Sequence, residues 1–156
     1  MDRPQIVRQH TKLEKFVGTW TGPEKMHPAP WCPEGAETEG TMKCKMDLGG
    51  WYLRMDYGQK MGRKSVMKGM GLIGYNSLQK CYTFAWFDSH GGSADLGVNR
   101  GQWKGQKLSM TNDTPYGHMR VSYSFGKNDT LTFKMEMSED GENWSPAMTA
   151  KYTKKS

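Results

Sequence analysis

Apolar and polar residues alternate with a period of two along most of this chain, the spacing of strands with one buried face. Met42, Cys44 and Met46 alternate with Lys43, Lys45 and Asp47, which predicts a half-exposed strand from Gly40 to Leu48. After Gly49-Gly50, Trp51, Leu53, Met55 and Tyr57 oppose Arg54 and Asp56, so the two runs form a hairpin. Ser65 to Tyr75 is a glycine-laced strand, with Met70 and Leu72 on one face and Gly69, Gly71 and Ile73 on the other. Lys80 to Asp88 is the most aromatic, with Tyr82, Phe84 and Trp86 on one face and Phe87 on the other. Ser89 to Gly92 turn into a strand from Asp95 to Trp103, and Lys107 to Thr111 follows. Met119, Val121, Tyr123 and Phe125 point inward against Arg120, Ser122 and Ser124; Leu131, Phe133, Met135 and Met137 oppose Thr132, Lys134 and Glu136; Met148, Ala150 and Tyr152 share a face in the last run.

The chain begins differently. Residues 1–16 predict an N-terminal helix, centred on Pro4 to Lys15, with Ile6, His10, Leu13 and Val17 near one stripe. A helix this short is not stable alone and must dock across one end of the sheet. Val17 to Met26 is the first strand, with Gly18 and Trp20 on one face and Trp20 as the floor of the enclosed space. Residues 27–38 carry a run with three prolines in seven residues, which cannot pair in a central strand and predicts a loop or lid. Trp31 and Cys32 at its centre either touch a ligand or tack the loop down. The sum is about ten strands joined by short turns with no crossover helix: an all-β, antiparallel up-and-down β-barrel occupying residues 1–156 as a single domain.

Charge and cysteine content narrow the picture. The formal charge is +6, but Lys and Arg are scattered singly, apart from the tail, and no basic groove interleaved with aromatics is visible; no nucleic-acid partner is expected. No apolar run approaches a membrane span and no apolar leader is present, so no membrane partner and a cytoplasmic location are expected. Three cysteines without metal-ligand spacing are expected as free thiols. Three Asn-x-Ser/Thr triplets have no secretory signal to make them acceptors.

His10-x-x-Leu13-x-x-Phe16-Val17-Gly18-Thr19-Trp20-x-Gly22, followed in order by Gly49-Gly50-Trp51, Gly71-x-x-Gly74-Tyr75, Trp86-x-Asp88 and a closing Tyr152 with basic residues behind it, resembles a bacterial family known as domain of unknown function 1579. The resemblance implies a small calycin-type barrel, similar in shape to lipocalins and fatty-acid-binding proteins. It carries no site residue, because the family has no established activity. In lipocalins the Gly-x-Trp ring is covered by an arginine from the last strand; this chain offers Lys151, Lys154 or Lys155 instead.

The candidate chemistry is modest. Thirteen methionines, many at strand positions, suit a cavity that fits an irregular apolar ligand, or a core in which Met replaces Leu and Ile. The expected function is binding of a small hydrophobic or amphipathic molecule, without cofactor, against Trp20, Trp51, Met55, Tyr57, Tyr82, Phe84, Trp86, Tyr123, Phe133 and Met148. Arg120 is the candidate for an anionic head group, if its strand's register turns it inward. The alternative is a cofactor-free cyclase or isomerase using Asp88 and His90 as acid and base, though Asp88-Ser89-His90-Gly91 also reads as an ordinary turn. Met42, Cys44 and Met46 are soft ligands of the kind that hold copper(I), but no His or second Cys completes a set, so no metal is expected. A homodimer is compatible with this reading.

Overall fold

The structure is a computed structural model and describes residues 3–91 and 97–156. Ten antiparallel strands close on themselves: β1 (Gly18–Met26), β2 (Ala36–Asp47), β3 (Tyr52–Met61), β4 (Lys64–Asn76), β5 (Cys81–Asp88), β6 (Asn99–Lys104), β7 (Lys107–Thr114), β8 (Gly117–Phe125), β9 (Thr130–Ser138) and β10 (Ser145–Lys154). Every neighbour in the wall is a neighbour in sequence except at the seam, where β1 pairs with β10. Closure removes the two edges that an open sheet would have to protect. Asp95, where the sixth strand was expected to start, and Gly92 before it lie outside the described residues.

Two boundaries differ from the expectation. β2 begins at Ala36, so the Pro-rich loop spans 27–35; the polar Glu37 and Glu39 are the outward half of an alternation whose inward half, Thr38 and Gly40, is not apolar. The N-terminal helix shrinks to α1 (Arg8–Thr11) continued by a 3-10 segment, Lys12–Phe16. Its buried set is His10, Leu13 and Phe16, spaced by three as a tighter helix requires, whereas Ile6 and Val17 are exposed. The two faces of β4 are divided as expected: Gly71 and Ile73 take the inward positions, and Met70, paired with Asp56 and Phe87, faces outward.

The helical segment plugs one end of the barrel. Leu13 and Phe16 are fully buried there with Trp20, Leu53, Ile73, Leu108 and Leu131. Trp20 donates its indole N–H to the Phe16 carbonyl at 2.8 Å. Of the three candidate lysines it is Lys154, the cross-strand partner of Trp20, whose Nζ lies over the ring at 5.8 Å from its centroid. Phe16 packs edge-on against Tyr123 and Phe125, at 5.3 and 4.8 Å between centroids. His10 belongs to the same plug: it meets Trp51 and Tyr75 edge-on, and its Nδ1 accepts the Val7 N–H at 3.0 Å.

Candidate ligand site

Counting by twos from Trp20 passes through Gly22 and reaches Glu24, so the same alternation that seats the tryptophan in the floor drives a carboxylate into the barrel. Glu24 is 3% exposed. Its Oε2 accepts the hydroxyl protons of Tyr57 at 2.6 Å and Tyr152 at 2.5 Å; its Oε1 accepts Thr38 Oγ1 at 2.9 Å and Gln59 Nε2 at 3.2 Å. Four donors from β2, β3 and β10 fill the acceptor sites of a carboxylate. A buried charge is tolerated only with such compensation, since an unpaired one costs several kcal/mol. Gly40 is part of the design, because a Cβ there would overlap the Glu24 carboxylate. Burial first, and then the Glu24 charge, push the Tyr57 and Tyr152 hydroxyls far above the usual tyrosine range.

Above this cluster the wall changes character. Met26, Met67, Trp86, Met119, Phe133, Met135 and Met137 occupy inward positions toward the end away from α1, yet all remain only half-buried. Inward residues near the plugged end, such as Met46, Trp103 and Phe125, are half-buried too, but there Leu13 and Phe16 fill the space between them, whereas the helical segment does not reach the mouth. Met148, also inward, pairs with both Met26 and Met135. Gly69 lies beneath the Trp86 indole, which covers the space a Cβ would need. Trp86 Nε1 donates to Asp88 Oδ2 at 3.0 Å, and its ring is 5.7 Å from that of Tyr57.

The Pro-rich loop closes part of this mouth. His27 N–H donates to the Ala147 carbonyl at 2.8 Å, and Trp31 reaches the β7–β8 turn to meet Tyr116 edge-on at 5.4 Å. β1 and β8 are separated in the wall by β10 and β9, so the loop spans a sector of the rim. Both rings remain exposed, Trp31 at 39% and Tyr116 at 58%.

The residues expected to form one wall therefore separate into three levels. Tyr57, Trp86, Phe133 and Met148 lie in the mouth half. Met55, Phe84 and Tyr123 lie at mid-height, where the Tyr123 hydroxyl approaches Met55 Sδ at 3.7 Å. Trp20, Trp51 and Tyr82 belong to the plug: Trp51 precedes β3 and leans on His10, and the Tyr82 hydroxyl donates to the Gln9 carbonyl at 2.8 Å. Arg120 is a correction. Val121 and Tyr123 are buried inward, so alternation sends Arg120 outside, where it pairs with Glu136 at 3.1 Å and stacks over Trp144 at 4.2 Å.

Asp88 and His90 sit at the rim in a turn. Asp88 Oδ1 accepts the backbone N–H of His90 at 2.9 Å, while His90 Nε2 lies 3.3 Å from the Val66 carbonyl. The Met42, Cys44 and Met46 trio packs into or against the core, where desolvation, followed by the charge of Asp56, pushes the Cys44 thiol up to about 12. Two clefts of about 620 and 470 Å3 lie on the outer surface, lined mainly by outward residues of mixed charge such as Lys25, Glu37 and Lys60 in one and Arg100, Asp113 and His118 in the other. His118 and Asp113 form an exposed pair there. Among the described residues, no helix is long and apolar enough to cross a membrane.

Solved structures share this fold across almost the whole chain. Rv2717c from M. tuberculosis superposes with a TM-score of 0.67 at 12% identity, covering 97% of this chain and 100% of that one. The S-type phycobiliprotein lyase CPES from Guillardia theta gives 0.67 at 10% identity, with 98% and 99% covered. A point mutant of the fluorescent protein UnaG gives 0.58 at 13% identity, with 92% and 99% covered. No curated protein matches the sequence. The model of one family, described as protein of unknown function (DUF1579), matches residues 5–154, and the chain belongs to that family.

Proposed function

We propose that the protein binds one small hydrophobic or amphipathic molecule in the mouth half of its barrel. The observation that carries this is the incomplete burial of Trp86, Met119, Phe133, Met135 and Met137 at inward positions of a closed wall. Barrels of this size hold a packed core or one small ligand, and a solvent-reached apolar lining favours the second. Methionine side chains are unbranched and polarizable, so they adapt to an irregular ligand surface. The loop from His27 to Gly35, anchored at Ala147 and Tyr116, limits access from one side of the rim. A phycobiliprotein lyase and a fluorescent protein share the same barrel outline, which is consistent with a fold used around small molecules. The Asp88 and His90 contacts account for the rim turn and supply no observation that favours catalysis.

The test is titration with N-phenyl-1-naphthylamine, a neutral apolar probe that fluoresces when removed from water. A single saturable site is expected, abolished by Met135→Trp, which plugs the lumen, and retained in Arg120→Ala, which changes only the outer face. Absence of saturable binding, or binding unaffected by Met135→Trp, would contradict the proposal.

A further inference from the structure

We infer that the ligand of this site carries hydrogen-bond donors at its polar end, and favours a positive charge there, as in an amphipathic amine; a fatty-acid carboxylate is disfavoured. This rests on the proposed mouth-half site and adds the polarity of its occupant.

The polar groups clustered around Glu24 have few protons left to give. Tyr57 and Tyr152 each commit their single hydroxyl proton to Glu24 Oε2, so only the lone pairs of their oxygens remain for anything else. Thr38 commits its proton to Oε1 and accepts from Gln59 Nε2 at 3.2 Å, and that same amide nitrogen also reaches Met26 Sδ at 3.7 Å. What Gln59 retains is its carbonyl oxygen. The surrounding thioethers are weak acceptors and never donors, and the one hydroxyl proton not held by Glu24 at this depth, that of Tyr123, is directed at Met55 Sδ at 3.7 Å.

A second, independent group points the same way. β6 stands diametrically opposite β1 in the ring of ten. Its first residue, Asn99, pairs with the inward Phe84 and is 4% exposed. Asn99 Nδ2 donates to the Phe84 carbonyl at 3.3 Å, while Oδ1 is buried with no hydrogen-bond partner among the described residues. An orphaned buried acceptor is costly, and a bound donor removes the cost; the other orphaned atom among the described residues, the donor Trp103 Nε1, lies in the plug against Phe16 and Phe125.

No cation balances this set. Among the described residues no lysine or arginine is buried, and the buried ionisable groups other than tyrosines and Cys44 are His10 in the plug, Glu24, and Glu136 outside with Arg120. The net charge of the chain is +6, yet the charge inside the wall is that of one carboxylate. An anionic head group entering the lumen would be repelled by that charge, whereas an ammonium would be attracted by it and could donate to Asn99 Oδ1, the Gln59 carbonyl oxygen or the tyrosine lone pairs, the Glu24 acceptor sites being already filled.

Displacement of N-phenyl-1-naphthylamine by octylamine, 1-octanol and octanoate at pH 7, using the full chain, separates these cases. Octylamine should displace the probe at a concentration about tenfold or more below octanoate, with the alcohol between them. Glu24→Gln should narrow the gap to about threefold or less. Asn99→Leu, which removes the orphan acceptor without touching the carboxylate cluster, should weaken octylamine more than octanoate and keeps the test decisive should Glu24→Gln not fold. Octanoate displacing as well as octylamine in the native chain would overturn the inference while leaving the site intact; so would a preference unchanged in both variants. Failure of all three compounds to displace a bound probe would refute the inference, and failure of the probe itself to bind would instead refute the site.

Discussion

The two halves of the barrel are built from the same strands and differ in how they finish their interiors. In the plugged half, Leu13 and Phe16 descend from the helical segment onto Trp20, Leu53 and Leu131, and the Trp20 N–H and the Tyr82 hydroxyl bond backbone carbonyls of the helical segment. In the mouth half, the inward residues are methionines and aromatics that stay half-buried around a saturated carboxylate cluster. The difference teaches that a shared alternation fixes which way side chains point, and not whether the space they point into is filled.

The sharpest way to break this contrast is to truncate one aromatic in each half. Phe16→Ala should cost about 3 to 5 kcal/mol in urea denaturation, because the plug is fully enclosed and cannot collapse around the void. Phe133→Ala, at a position already reached by solvent, should cost about 1 to 2 kcal/mol, since it loses less buried area. Equal costs would mean that the mouth half is packed like the plug.

High pH probes the boundary between the halves. Tyr57, Tyr123 and Tyr152 hold their protons more tightly in the folded chain than the ordinary value of 10.0, chiefly through burial. A raised folded value means that the unfolded chain loses protons first, so stability is intact below pH 10 and falls as pH rises beyond it. With three such groups the decline should approach about 4 kcal/mol per pH unit. Denaturant melts between pH 9 and 12 measure it; a flat profile across that range would show that these hydroxyls are not enclosed. Replacing one of them isolates the cluster: Tyr152→Phe should destabilise by about 1 to 3 kcal/mol, because Glu24 loses one of four donors while the ring remains. A neutral result would show that the carboxylate is reached by water.

The smallest effect is chemical. Cys44 is buried with its thiol raised to about 12, whereas Cys32 and Cys81 are half-exposed. Ellman's reagent should therefore modify two thiols promptly in the folded chain and a third only on unfolding. Prompt reaction of all three would place Cys44 outside the sealed region.

Part of the plug was readable in advance: Leu13 and His10 were placed on the buried stripe and Trp20 in the floor, whereas Phe16 takes the place expected of Val17. The length of the helix was not, since Ile6 and Val17 fit the stripe yet find nothing to pack on once Leu13 and Phe16 take a tighter turn. Glu24 was missed for a physical reason. Flanked by Pro23 and Lys25, it reads as surface, and only the count from Trp20 through Gly22 reveals that an acidic residue has taken an inward position. The donors that make this tolerable come from strands 14, 33 and 128 residues away, which no local pattern displays. Arg120 shows the converse: its period always assigned it outward, and placing it in the lumen required a register that the burial of Val121 and Tyr123 excludes.

The most direct test of an unfilled mouth is a crystal structure of the protein pressurised with xenon, which occupies apolar voids and reports their position by its scattering. Xenon should appear among Trp86, Met119, Phe133 and Met135 and nowhere between Phe16 and Leu53. Closely packed side chains without xenon in the mouth half, or xenon sites in the plug, would contradict the account.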